Sequence, residues 1–391
     1  MISVNEALQR ILKSNSALKA VDIQLSEALG YVLAEDVRPP IDMPPFDNSA
    51  MDGYAIHEWE SNEYTVVAEI QAGMNATEVV LLPGEAVRIF TGAMVPASAT
   101  TVVKQEITFR EGKTVKITDD FKSGGNIRKK AEQIQSGAIA LKKGTKLNAA
   151  AIGFLGMLGI VEVKVHRKPV IKLLITGNEL VAAENELQPG QIYESNAITI
   201  ISALRELGFD ASAVRVSDDL KATTKIVGEL LQACDVLLTS GGISVGDYDF
   251  VGKAMEENGV QTSFYKVKQK PGKPLLYGYN DTCHVFALPG NPASALTCTY
   301  IYVYPALQKM LGSSSTSLEM RKLPMLNSYS KRSGLTHFLK GRVDDNGVSS
   351  LEHQSSSMLN SFATSNCLIV VPEEVEQLGP GELVSIYILP E

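Results

Sequence analysis

From Val170 to Leu311 the chain alternates short apolar runs with segments of helical period, and this alternation limits the folds open to it. Val170 to Ile175 reads as a continuous apolar strand. A helix capped by Asn196 carries Ile198, Ile201 and Leu204 and stops at Gly208. Ala213 to Val216 is a strand, Leu220 to Leu231 a helix and Val236 to Leu238 a strand. Phe250 to Glu257 reads as a short helix, and Val285 to Leu288 as a strand before a last helix that runs through Leu296 to Leu311. Such spacing predicts βαβ units and a mostly parallel, doubly wound sheet. Ligands of such sheets sit beyond the carboxyl ends of the strands. Polar clusters fall at four of those ends: Thr176-Gly177-Asn178-Glu179, Ser217-Asp218-Asp219, Thr239-Ser240-Gly241-Gly242 and Pro289-Gly290-Asn291. One alone could be a helix cap; four at one edge point to a pocket.

The third cluster opens the loop that runs to Asp249. Its glycines let backbone approach a bulky anion, and Ser240 and Ser244 add neutral donors. Asp247 and Asp249 would repel a bare phosphate, and make sense with a hard divalent cation between them and it. The loop therefore points to phosphate plus magnesium, with Glu179, Asp218 and Asp249 as candidate metal or ribose ligands. Lys270-Pro271-Gly272-Lys273-Pro274 presents two ammonium groups three residues apart on a stiff backbone, which suits an oxyanion. Asn291 as N-cap and Pro292 at N1 place the positive end of a helix where the preceding strand stops.

Outside this region the pattern is different. Ser3 and Glu6 form a capping box for a helix that carries Val4, Leu8, Ile11 and Leu12, and a second helix is expected over Leu25 to Ala34. A proline-rich stretch leads to Asp52-Gly53, with Asp42 and Asp47 as neighbours that argue for more than a turn aspartate. Tyr64 to Ile117 alternates like a small β domain, in which Thr91 sits at a strand end; the basic turn Arg128-Lys129-Lys130 reads as a solvated loop. After a serine-rich linker, Met320 to Glu391 reads as a small β domain or barrel. The expected domains are thus 1–43 with 131–168, a discontinuous linking unit with helical elements; 44–130, small β; 169–311, doubly wound; and 312–391, barrel-like.

Composition removes several classes. A hydrophobic content of 45% and a charged content of 20% are those of an ordinary globular protein. A net charge of -8 argues against nucleic acid and anionic membranes as partners. The longest apolar run, Ala149 to Val161, is broken by glycines and too short to span a bilayer, so a soluble cytoplasmic protein is expected. The four cysteines are isolated in apolar surroundings and read as buried thiols. No GxxxxGK[ST] is present, and the glycines from Gly153 to Gly159 lie in an apolar helix, which leaves kinase and dehydrogenase readings without support.

In chain order, NSAMDGYA, FTGAMVP, TGNEL, TSGGISVGDYDF, KPGKP, LPGNPAS and HQSS make the sequence resemble the molybdopterin molybdenumtransferase family, the MoeA and gephyrin E-domain type, over essentially its whole length. The resemblance implies an elongated four-domain homodimer with its site in a cleft near the subunit interface. The reaction it implies is insertion of molybdenum from molybdate into adenylylated molybdopterin, with Mg2+ and release of AMP, the upstream adenylyltransferase being a candidate partner. It places catalytic roles on Asp52, Thr91, Glu179, Asp218, Asp249, Lys266 and Lys270. Substrate contacts fall on Ser240, Gly241, Gly242, Ser244, Lys270, Lys273, Pro289, Gly290, Asn291 and Ser356, and metal contacts on Glu179, Asp218 and Asp249. Lys340 stands where the family has arginine, which puts the C-terminal share of anion binding in question. A molybdopterin adenylyltransferase or nucleotide pyrophosphatase on the same fold, and a non-enzymatic scaffold, are the alternatives.

Overall fold

The structure, a computed structural model, describes residues 1–241 and 250–390. Its helices are α1 (Val4–Ser14), α2 (Ala149–Met157), α3 (Asn196–Glu206), α4 (Leu220–Ala233), α5 (Phe250–Glu257), α6 (Pro292–Cys298) and α7 (Tyr304–Met310). A π-helical turn, Thr299–Val303, joins the last two.

The central sheet contains β1 (Ile171–Ile175), β2 (Ala211–Arg215), β3 (Val236–Ser240), β4 (Gln261–Tyr265), β5 (Leu276–Tyr279) and β6 (His284–Leu288), in the order β2-β1-β3-β6-β5-β4. The first four are mutually parallel; β5 and β4 add an antiparallel edge. Strand period places alternate side chains on opposite faces. Leu173, Leu238, Phe286 and Leu288 join the core under α3, α6 and α1. Leu174, Leu237, Val285 and Ala287 join the core under α4 and α5. Both faces are covered, which is why these strands are unbroken apolar runs rather than alternating ones. The protein is thus mixed α/β with a doubly wound sheet, as the spacing predicts.

All four cysteines are buried and free. Cys234 and Cys283 precede neighbouring strands β3 and β6, and so their sulfurs stand 3.7 Å apart although 49 residues separate them.

At the N-terminus, Ser3 Oγ accepts from the N–H of Glu6 at 3.1 Å, the expected cap. The reciprocal half of the box is absent, because the Glu6 carboxylate pairs with Arg10 at 2.6 Å. The helix expected over Leu25 to Ala34 does not form. One 3-10 turn, Leu25–Glu27, is followed by Gly30 at φ +79, and Val32 and Leu33 bridge to Lys146 and Val165. Ala28, Val32 and Leu33 are fully buried, so the apolar stripe is used by extended chain packing against a distant segment. Ala20–Gln24 pairs with Glu162–His166, tying the two ends of the N-terminal third together.

Besides several two-stranded ladders, the other described strands make up two further six-stranded sheets. One runs from Gly53 to Ile117; the other is built on the long strand Thr336–Asp344 and takes in Gln269–Lys270, which pairs parallel with Thr336–His337. That pairing carries the lysine loop to the C-terminal sheet. Among the described residues no helix is long and apolar enough to cross a membrane.

Candidate active site

The four polar clusters meet at one edge of the central sheet. Beyond β3, the Gly241 N–H donates to Leu288 O at 3.4 Å, and a Cβ on Gly290 would stand only 3.8 Å from the Gly241 Cα. Beyond β1 and β2, the Asn178 N–H donates to Asp218 Oδ2 at 2.8 Å while Asn178 Oδ1 accepts from the Asp218 N–H at 3.3 Å. The Glu179 carboxylate folds over Gly177, whose added Cβ would lie 2.9 Å from both its oxygens. Glu179 and Asp218 therefore sit on two interlocked loops. Gly242, Ser244, Asp247 and Asp249 lie outside the described residues. Among the described ones, no three His, Cys, Asp or Glu side chains gather as a metal site.

Asn196 takes a different place from the one its sequence position suggests. Ser195 is the N-cap residue of α3, and the Asn196 side chain instead reaches across the edge. Its Nδ2 donates to Ser240 Oγ at 2.7 Å and to Gly290 O at 2.7 Å, so one amide joins the ends of β3 and β6.

Beside this edge lies a cleft of about 450 Å3 lined by Lys270, Gly272, Lys273, Pro289, Gly290, Asn291 and Ser356, among others. Lys270 and Lys273 are exposed and make no ion pair among the described residues. Gln269, fully buried, fixes the loop between them: its Nε2 donates to Pro271 O at 3.0 Å and Gly272 O at 3.2 Å, and its Oε1 accepts from the Tyr302 hydroxyl. Gly272 has φ +86, and a Cβ there would meet Cys298 Sγ at 2.6 Å and Gln269 Nε2 at 2.7 Å, which excludes other residues. Nothing in the sequence marks Gln269, since one glutamine between two lysines looks like solvated surface.

Asn291 is the N-cap of α6 by position, yet its side chain makes no cap bond and donates to Ser356 Oγ at 2.7 Å. The Ala293 N–H donates to Ser356 O at 3.0 Å. The Ser356 loop is in turn organised by Lys340, which is only 2% exposed and donates to the carbonyls of His353 at 2.7 Å, Met358 at 3.1 Å and Ser355 at 3.3 Å. Lys340 thus faces backbone, not the cleft, and the loss of the arginine fork leaves the cleft's own cations unchanged.

Asp52 and Thr91 form a pair of their own. Asp52 Oδ1 accepts from both the N–H and the hydroxyl of Thr91, each at 2.8 Å, and these bonds hold the carboxyl below its usual pKa. Neither lines the cleft of its own chain. The expected acidic company of Asp52 is otherwise engaged: Asp47 pairs with Lys129 at 2.9 Å and Asp42 with Lys130 at 3.3 Å, so the proline-rich segment and the basic turn neutralise each other. Lys266, at φ +66, places its ammonium 4.8 Å from the centre of the Tyr265 ring and also lies outside the cleft lining.

Three family models tile the chain: the MoeA N-terminal region (domain I and II) over residues 2–159, a probable molybdopterin binding domain over 172–309, and the MoeA C-terminal region (domain IV) over 322–389. A molybdopterin molybdenumtransferase of Staphylococcus epidermidis is 32% identical over 99% of this chain and 95% of its own length. The chain belongs to the molybdopterin molybdenumtransferase family. A Staphylococcus aureus protein of the same name is 30% identical over the same shares. A molybdopterin biosynthesis MoeA protein from Pyrococcus horikoshii OT3 superposes with a TM-score of 0.86 at 28% identity, covering 99% of this chain and 100% of that one. Like other molybdopterin molybdenumtransferases, the chain is a transferase of molybdenum cofactor synthesis.

Proposed function

We propose that the chain inserts molybdenum from molybdate into adenylylated molybdopterin and releases AMP with Mg2+. The supporting observation is the cleft in which Lys270 and Lys273, with no ion pair among the described residues, present two ammonium groups beside backbone and hydroxyl groups, the chemistry that receives an oxyanion. Gln269 keeps the two lysines at a fixed separation, so molybdate is oriented without a protein nucleophile. Ser356 and Asn291, bonded to each other, add polar groups to the cleft lining.

The nucleotide belongs at the adjoining sheet edge, where Ser240, Gly241, Pro289 and Gly290 offer close backbone approach. The donor set there suits magnesium: Asp218 Oδ1 has no hydrogen-bond partner among the described residues, and Glu179 on the interlocked loop adds a second hard carboxylate. Asp249 is the third proposed ligand. Bound there, Mg2+ would neutralise charge on the pyrophosphate.

Asp52, Thr91 and Lys266 lie apart from the cleft of their own chain. Asp52 is half-buried and Thr91 exposed in the single chain, so in the homodimer that the resemblance implies the pair is available to complete a partner's site. The pairing of Ala20–Gln24 with Glu162–His166 supports reading 1–43 with 131–168 as one discontinuous domain. Incubation of the purified protein with adenylylated molybdopterin, molybdate and Mg2+ should release AMP stoichiometrically with molybdenum incorporation; AMP formation without incorporation would favour a pyrophosphatase.

A further inference from the structure

We infer that Asn196 is a positioning residue for the substrate nucleotide, one that sets the gap between the β3 and β6 loops and fixes the Ser240 hydroxyl as a donor. This rests on the reading that the sheet edge holds the nucleotide.

The amide orientation follows from the contacts. Gly290 O can only accept, so the atom facing it at 2.7 Å has to be Nδ2. The second Nδ2 hydrogen goes to Ser240 Oγ at 2.7 Å. Asn196 Oδ1 is left buried with no hydrogen-bond partner among the described residues. Because Ser240 receives that bond, its own proton remains to be donated, and among the described residues no acceptor takes it. Ser240 is 4% exposed and is the last residue of β3, so among the described residues its proton is left for an acceptor that arrives at the strand edge. A phosphate oxygen, which can only accept, has that character.

The same amide also acts on Gly290. Gly241 and Gly290 approach so closely that the loops are spaced by backbone alone. Asn196, on neither loop, links both, and its place at the first turn of α3 anchors them to the helix layer. Asp at this position keeps the shape and inverts the polarity: it would repel Gly290 O and draw the Ser240 proton onto itself.

Steady-state kinetics of Asn196→Asp and Asn196→Ala test the inference, with Ser240→Ala and the two double variants. The expected result is a rise in KM for adenylylated molybdopterin of roughly thirtyfold, two net hydrogen bonds' worth, with KM for molybdate within about twofold of wild type. In the Ser240→Ala background the effect of Asn196→Ala should shrink to well under half, because part of it acts through Ser240. Asn196→Asp with an unchanged nucleotide KM, while Ser240→Ala raises it, would overturn the inference and leave the site reading intact. Equal rises in both KM values with a lowered melting temperature would reduce Asn196 to a structural residue. If Ser240→Ala itself leaves nucleotide KM unchanged, the reading of the sheet edge fails first.

Discussion

The Asn291 side chain donates to the Ser356 hydroxyl at 2.7 Å and so ties the C-terminal sheet to the helix that leaves β6. The contact crosses the cleft wall between the helix layer of the central sheet and the C-terminal sheet. It makes the geometry around Lys270 and Lys273 depend on how firmly the Ser356 loop is held.

Ser356→Ala should therefore raise the half-saturating molybdate concentration about two- to tenfold, the range of one net hydrogen bond. Asn291→Ala should do the same, and the double variant should be little worse than either single one. Molybdate titrations of the three variants check this; full additivity would show that the two residues act separately.

Lys340→Met removes the three donors that hold the His353, Ser355 and Met358 carbonyls. Lys340 itself is buried, so a stability loss of about 1–3 kcal/mol is expected from losing its three bonds. Denaturant unfolding measures it. A neutral substitution would mean that the loop carbonyls find other partners.

Acid should weaken the fold in a defined window. Burial, with Lys270 and Lys331 nearby, pushes His337 down to about 4, and the Tyr329 hydroxyl meets its Nδ1 at 2.7 Å. The folded pKa lies below that of the unfolded chain, so unfolding takes up a proton between about pH 6.5 and 4. Stability is full above 6.5 and falls as pH drops through that range. Melting temperatures from pH 7 to 4.5 should decline less steeply in His337→Gln; His284, also near 4, retains part of the slope.

Asp52→Ala and Lys270→Ala proteins, each inactive, should complement when unfolded and refolded together. Random pairing would restore about a quarter of wild-type sites if Asp52 serves the partner's cleft. No recovered AMP release in verified mixed dimers would confine Asp52 to its own chain.

The central sheet was legible because Val236 to Leu238 and Val285 to Leu288 are doubly buried strands that have to be apolar. The clustering at their carboxyl ends was legible from topology. The Leu25 to Ala34 segment misled because its stripe packs as extended chain, which helical period cannot distinguish from a helix face. Asn196 looked like a cap since Asn commonly caps helices; its real acceptors, Ser240 and Gly290, are 44 and 94 residues away. Gln269 and Lys340 act from buried positions on backbone carbonyls, which no residue type announces. Asp42 and Asp47 looked like acidic company for Asp52 until their partners Lys130 and Lys129 were placed beside them.

The most direct test is the molybdate dependence of AMP release in Lys270→Met/Lys273→Met. With both ammonium groups gone and the Gln269 clamp intact, the half-saturating molybdate concentration should rise at least about a hundredfold, from the loss of two charge-assisted contacts, with the melting temperature near wild type. A variant that folds normally and saturates with molybdate at the wild-type concentration would contradict the account.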